Sequence, residues 1–388
     1  MSGVLLTDAQ QRKTLAAARS LGGKGIKVYI GENTRLALSS FSKYCHRPFV
    51  YPSPRSDTER FLSCMFNFIK KYRPDVFFPM DDDIIEAVAG HLKEFKKLTR
   101  VPIPEQDKLA AVGDKASLIK IAGKAGTPCP KTVSVNDLGE LGSVLSCFDF
   151  PVVIKPRKSS GSRGIRYIFE KKDFIKNYLA VHKEYPFPVV QEFIPPGEKY
   201  DVCLLFNQDS KLRAAFVQKE LRQYPLEGGP STLQESVYRP DLIELALDLM
   251  KDTGWYGVAE VEFMVDPRDG LPKLMEVNPR FWASLQASIS AGIDFPYLLY
   301  RLAVDGDIEP HFNYRSGVRC RWLLPGDILH FLFNSKRLEM DPGFFQFRSN
   351  NLFDDIISRD DPGAVLGFCL GALRCAVDYK MWRKVIFR

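Results

Sequence analysis

Positions 257–280 read GVAEVEFMVDPRDGLPKLMEVNPR. Two alternating runs, 258–265 and 273–278, flank Asp266-Pro-Arg-Asp-Gly-Leu-Pro272, whose Pro and Gly supply turn chemistry. The pattern predicts a β-hairpin. With the turn centred near Asp269, Glu262 falls opposite Glu276 and Glu260 opposite Asn278. Side chains alternate faces along a strand, so these four share one face. Val261, Phe263 and Val265 then oppose Met275 and Val277 on the other. Like charges placed directly across a strand pair repel each other. A hard divalent cation between the carboxylates removes that cost, and Glu and Asn oxygens are ligands that Mg²⁺ accepts. A solvated acidic sheet face is the alternative that the hairpin alone leaves open.

The whole chain is 388 residues of ordinary globular composition, 45% hydrophobic and 26% charged, a length that implies two or three domains. Met1-Ser2 leads directly into a strand-like GVLL, so no signal peptide is expected. The longest apolar run, residues 363–377, contains Arg374 and falls short of the ~20 residues a membrane span requires. A cytoplasmic protein follows as the expectation. Eight cysteines without a CxxC pair and five isolated histidines argue against zinc or iron–sulfur sites. The net charge of +7 favours anionic ligands, but the basic residues lack the aromatic interleaving of nucleic-acid modules, so nucleic acid is not an expected partner.

Residues 1–100 alternate between strand-like and helix-like segments: strands at Gly3–Leu6, 27–30 and 75–79, helices at 10–21 and Thr58–Tyr72. On the second helix Phe61, Leu62, Met65, Phe66 and Ile69 make an apolar face. This βαβ order predicts a small parallel sheet, a Rossmann-like α/β domain without the Gly-x-Gly-x-x-Gly of a dinucleotide site. Asp81-Asp-Asp83 follows a strand end, where it either caps the next helix or meets a substrate amine. Val101-Pro-Ile-Pro104 marks a linker. Beyond it come a helical stretch to residue 126, strands at 151–156, 165–169 and 189–194, and a helix at 174–185. Residues 311–388 resist parsing and end in the basic Trp382-Arg-Lys-Val-Ile-Phe-Arg388, either a peripheral membrane or partner contact or a packed terminal helix.

Lys155 ends an apolar strand, and the loop after it is Ser159-Ser160-Gly161-Ser162-Arg163-Gly164. Two glycines and three hydroxyls allow a tight turn whose N–H groups face an anion, with Lys155 and Arg163 adding positive charge. A plain Ser/Gly connection is the alternative. The extended Gln191-Glu192-Phe193-Ile194 offers backbone groups to the edge of a purine, and Glu198 a carboxylate to ribose hydroxyls.

Asp114-Lys115, Val153-Ile-Lys155, the Ser/Gly loop, Gln191–Ile194 with Glu198, and Glu262…Glu276-Val-Asn-Pro-Arg280 stand in the order and spacing of the ATP-grasp superfamily, which the chain resembles over about residues 105–300. Phe281-Trp-Ala-Ser284 is similar to the carbamoyl-phosphate-synthetase-like branch and its carboxylate–amine ligase relatives. The resemblance implies a pre-ATP-grasp Rossmann-like domain (1–100), a two-lobed α+β ATP-grasp domain (101–310) and an unassigned C-terminal extension (311–388). It also implies roles. Lys115 and Lys155 contact ATP phosphates, 159–164 close over them, and 192–194 hold adenine. Lys219 approaches the phosphates, Glu262, Glu276 and Asn278 bind one or two Mg²⁺ (or Mn²⁺), and Arg280 steadies the acyl phosphate or carboxylate.

The implied reaction joins a small carboxylic acid or amino acid to an amine through an acyl phosphate, needing charge neutralisation instead of a protein nucleophile. A homodimer is the implied assembly. Two alternatives remain: a carboxylase- or thiol-ligase-type enzyme, for which a biotin-carrier Met-Lys-Met is missing, and a nucleotide-binding regulatory protein without turnover.

Overall fold

The computed structural model describes residues 2–158, 163–347 and 349–377. Its first unit is the expected parallel sheet. β1 (Gly3–Leu6), β2 (Lys27–Glu32), β3 (Cys45–Val50) and β4 (Val76–Phe78) lie in the order β3-β2-β1-β4. β3 was not legible, because CHRPFV is polar, contains Pro48 and sits at the sheet edge. The connecting helices are α1 (Arg12–Gly22), α2 (Thr58–Tyr72), α3 (Asp82–Ala89) and α4 (Leu92–Lys96). In α2 the Asp57 carboxylate accepts the Arg60 N–H at the N-terminus, and Arg73 in the left-handed conformation ends the helix. Phe61, Leu62, Met65 and Ile69 are buried as their spacing requires; Phe68 is buried too, while Phe66 is half-buried.

α5 (Gln106–Gly113) and α6 (Lys115–Ala125) lead into a smaller lobe. There β5 (Thr132–Ser134), β6 (Val152–Lys155), β7 (Arg166–Ile168) and β8 (Val189–Glu192) form an antiparallel sheet in the order β5-β8-β6-β7. α7 (Leu141–Ser146) and α8 (Phe174–Glu184) cover it through Leu141, Val144, Phe174 and Tyr178.

The larger lobe is one seven-stranded sheet ordered β13-β12-β9-β10-β11-β14-β15. Its members are β9 (Lys199–Phe206), β10 (Leu212–Gln223), β11 (Ser231–Ser236), β12 (Gly257–Val265), β13 (Pro272–Asn278), β14 (Arg319–Arg321) and β15 (Leu352–Asp354). α9 (Pro240–Met250), α10 (Leu285–Ala291), α11 (Phe295–Asp305), α12 (Ile328–Phe333) and α13 (Gly363–Val377) complete the chain. Residues 311–377 therefore do not stand apart. β14 and β15 extend the large sheet, and α13 packs on the short helical turn Leu38–Phe41 of the first unit. That packing needs glycine: a Cβ at Gly363 would lie 2.1 Å from the Phe41 carbonyl oxygen.

Ion pairs join α1 to the same C-terminal segment, Arg12 with Asp355, both buried, and the half-buried Arg19 with the buried Asp361. Removing one partner of such a pair strands a buried charge, at a cost of about 3–5 kcal/mol. A continuous core runs from Leu5 and Phe77 of the first sheet to Val202, Val261 and Phe263 of the large one. No helix among the described residues is long and apolar enough to cross a membrane. The basic segment 382–388 lies outside the described residues.

Candidate active site

The hairpin forms in the expected register, Glu260 against Asn278 and Glu262 against Glu276. A bulge follows Glu262, so that Phe263 pairs with Leu274. This corrects one expectation. Leu274, fully buried, joins Phe263 and Val277 in the core, and Met275 turns to the other side, where it lines the cleft with Met264. A single extra residue reverses which side chains face inward.

The cleft lies between the lobes and encloses about 790 Å³. On its floor the Asn278 amide nitrogen donates to Glu262 Oε1 at 2.7 Å and Glu260 Oε2 at 3.0 Å, with Glu276 Oε1 at 3.4 Å. Carboxylate oxygens of Asp201, Glu260 and Glu262 lie within 4.8 Å of one another. Burial, and next the charges of Glu276 and Glu260, push the Glu262 pKa well above the ordinary range. Glu276 goes the other way: burial opposes its charge, but Lys115, Arg280 and Lys155 outweigh it and hold the pKa low. Lys115 Nζ is 3.3 Å from Glu276 Oε2. Carboxylates this close cannot all ionise without a cation among them. The Glu262 and Glu276 carboxylates fit a hard divalent ion, and Asn278, whose nitrogen faces them while its Oδ1 meets Arg280, offers an oxygen once its amide turns over.

Lys155, at the end of β6, is 8% exposed and lines the same cleft. Burial and the neighbouring Lys115 lower its pKa to about 8, against the pull of Glu276 and Glu262. Lys115 is fixed by the start of α6. Asp114 caps that helix through the Ala116 and Ser117 N–H groups and also takes the Arg157 guanidinium at 2.8 Å. The Lys115 N–H donates to the Arg157 carbonyl at 3.0 Å. Arg157 went unnoticed in the sequence; its position two residues past Lys155 was the available signal. Ser159, Ser160, Gly161 and Ser162 lie outside the described residues. Gly164 has φ +76°, and Arg163 lines an adjoining hollow with Lys115, Lys158 and Asp82.

At the opposite end Gln191, Glu192, Phe193 and Ile194 line the cleft, facing Val153, Tyr167, Met264 and Met275. Glu192 is braced on both sides: its carboxylate accepts the Lys131 N–H at 2.7 Å and Arg268 at 3.2 Å. The Gln191 amide nitrogen donates to Thr132 Oγ1 at 2.8 Å.

Two expected residues fall elsewhere. Lys219 pairs in register with Tyr200, whereas Glu220 pairs with Lys199. By alternation Lys219 points to the face away from the cleft, where it binds Glu198, and Tyr200 also donates to Glu198 at 2.6 Å. Neither Lys219 nor Glu198 lines the cleft; Lys199 does. Replacing Lys219 or Glu198 by alanine is therefore expected to leave nucleotide affinity within about twofold, whereas Lys199→Ala weakens it. Calorimetric titration of the three variants checks this. Arg280 does line the cleft, 2.9 Å from Asn278 Oδ1 and 3.0 Å from Asp82 Oδ1. Of the two purposes expected for the Asp81-Asp-Asp83 run, the helix cap is not made. Asp81 stands at the N-cap position of α3 without a capping bond and instead holds Lys13 at 3.0 Å.

The ATP-grasp domain profile matches residues 112–284. The α subunit of mitochondrial methylcrotonoyl-CoA carboxylase from Oryza sativa subsp. japonica is 25% identical over 190 residues, 46% of this chain and 26% of that protein. D-aspartate ligase from Enterococcus faecium is 25% identical over 235 residues, 54% of this chain and 53% of that protein. The chain thus spans about a quarter of the first relative's length and about half of the second's. A solved structure, the biotin carboxylase domain dimer of Hydrogenobacter thermophilus 2-oxoglutarate carboxylase with MgADP and bicarbonate, superposes with TM-score 0.69 at 16% identity. It covers 81% of this chain and 73% of that one, a likeness of fold. Two lobes closing on a cleft, with a Glu-x-Asn strand at its floor and a buried lysine at its roof, agree with the profile match: residues 112–284 form an ATP-grasp domain.

Proposed function

We propose that the protein is an ATP- and Mg²⁺-dependent carboxylate–amine ligase working on small molecules. The observation that supports it most is the strand register that sets Glu262, Glu276 and Asn278 together on the cleft floor, within reach of Lys115 and Lys155. A purine fits between Val153, Met264 and Met275, next to Phe193 and Ile194. The Glu192 and Phe193 N–H groups already donate to Lys131 O and Pro151 O, which leaves recognition of the base edge to the segment's end near Ile194.

Lys115 and Lys155 orient the triphosphate, and their charge compensates what builds on its oxygens during transfer. Glu262, Glu276 and Asn278 would hold magnesium, which supplies further neutralisation at the β- and γ-phosphates. A substrate carboxylate oxygen attacks the γ-phosphorus, the bond to ADP breaks, and an acyl phosphate forms. The amine nitrogen then bonds to the acyl carbon, phosphate leaves, and the amine's proton passes to solvent. Arg280, anchored by Asp82, faces the carboxylate end of this path. Closure of the lobes excludes the water that would otherwise hydrolyse the acyl phosphate. We place the protein in the cytoplasm and take a homodimer as its assembly, as named for the Hydrogenobacter domain.

The test is phosphate release with ATP and Mg²⁺ across pairs of carboxylic acids and amines, amino acids included. Release that requires both partners supports the ligase. ATP cleavage driven by bicarbonate without an amine would move the assignment to a carboxylase-type reaction. No cleavage with any pair would point to a nucleotide-binding regulator.

A further inference from the structure

The acidic floor does not stop at the cluster described above. Glu262 pairs in register with Asp201 on β9, Asp201 with Gln218 on β10, and Lys199 with Glu220. Glu220 in turn pairs with Gln234 on β11. Register partners share a face. One polar face therefore extends across the sheet from Asn278 on β13 to Gln234 on β11, and the magnesium ligands proposed above take only its β12 and β13 part. Asp201, Glu220 and Gln234 line the same cleft as Glu262 and Lys155.

The second half has negative charge and an unmet amide. Asp201 is buried and accepts one N–H, from Gln218 Nε2 at 2.8 Å. Glu220 has Lys199 at 3.6 Å, and that lysine is itself drawn to Gln223 Oε1 at 2.5 Å. Arg12, the other cation at this end, is committed to Asp355 and to the Ser231 carbonyl. Gln234 is fully buried, and neither its Oε1 nor its Nε2 has a hydrogen-bond partner among the described residues. A buried unpaired amide is costly, and one that lines a cleft is met by what enters it, water or a ligand.

Building on the ligase reading, we propose that Asp201, Glu220 and Gln234 recognise a primary ammonium group, so that the acceptor substrate is a cationic amine, which passes one proton to solvent before its nitrogen attacks. Two carboxylates and the Gln234 carbonyl provide acceptors for the three N–H bonds of R–NH₃⁺. The place suits an acceptor, because Asp201 oxygens lie within 4.8 Å of the Glu260 and Glu262 oxygens, at the phosphate end where the acyl group is made. An additional divalent ion fits less well. The Gln218 N–H already occupies one Asp201 oxygen, whereas an ammonium needs a single acceptor from each of the three residues.

The experiment is ligand-observed NMR on the full chain loaded with Mg²⁺ and a non-hydrolysable ATP analogue. The probes are 1,4-diaminobutane, L-alaninamide and, as the uncharged control, 1-butanol. Both amines are expected to bind and to compete with each other, with butanol silent at matched concentration. Glu220→Gln and the volume-conserving Gln234→Met are each expected to weaken amine binding about tenfold while nucleotide affinity is unchanged. The assignment is overturned if butanol binds as well as the amines, if neither amine binds, if the variants bind like wild type, or if added Mn²⁺ displaces the amines. Failure of the wild-type chain to bind the nucleotide analogue would instead undo the ligase reading itself.

Discussion

Glu276→Gln is expected to reduce ADP release by about three orders of magnitude. The carboxylate does two things that an amide does not. It offers charged oxygens to a divalent cation, and it balances Lys115 at 3.3 Å. A coupled ADP assay, run beside circular dichroism to verify the fold, measures the loss. Turnover within a few-fold of wild type would remove Glu276 from the site. The partner variant Glu262→Gln should lose activity comparably but differ in stability. Burial and neighbouring acids already disfavour the charged form of Glu262, so neutralising it leaves the melting temperature unchanged or higher. Glu276 is held charged by three cations, and its neutralisation lowers the melting temperature.

Lys155→Ala is expected to weaken binding of Mg-nucleotide by roughly 2–3 kcal/mol, the loss of a charge-assisted contact in a buried site. The same lysine predicts a pH profile. Burial brings its pKa down to about 8, so the free protein has it charged below that pH and progressively neutral above it. Only the charged form attracts the phosphates. Nucleotide affinity should therefore be constant below pH ~8 and fall about tenfold per unit above it. Lys155→Arg, which keeps its charge, should flatten that fall. Titration calorimetry between pH 7 and 9.5 checks both points, and a flat wild-type profile would contradict them.

How much of this was legible depends on how local the determinants are. The hairpin register followed from Pro and Gly in one seven-residue turn plus strict alternation, and Glu262 meets Glu276 as the count required. Alternation then failed one residue later, because a bulge has no signature in MVDPRDGLPKLM that distinguishes Met275 from Leu274. Lys219 and Glu198 were assigned to the cleft from their place in the order of motifs. The pairing of β9 with β10 decided otherwise, because a shift of one residue along β10 exchanges Lys219 for Glu220, the partner of Lys199. Asp81 and Asp82 presented two local readings, cap or amine ligand. Their partners, Lys13 and Arg280, lie 68 and 198 residues away and could not be counted along the chain. The same distance hid β14 and β15, three-residue strands that exist because β11 offers an edge to β14, and β14 one to β15.

The central claim is that the hairpin floor gathers a divalent cation beneath a nucleotide, and Mn²⁺ titration by electron paramagnetic resonance tests it most directly. With a non-hydrolysable ATP analogue present, the wild-type chain should sequester Mn²⁺ tightly, and Glu262→Gln and Glu276→Gln should each release it while remaining folded. Manganese that stays free in the wild type, or that binds both variants as tightly as wild type, would contradict the account.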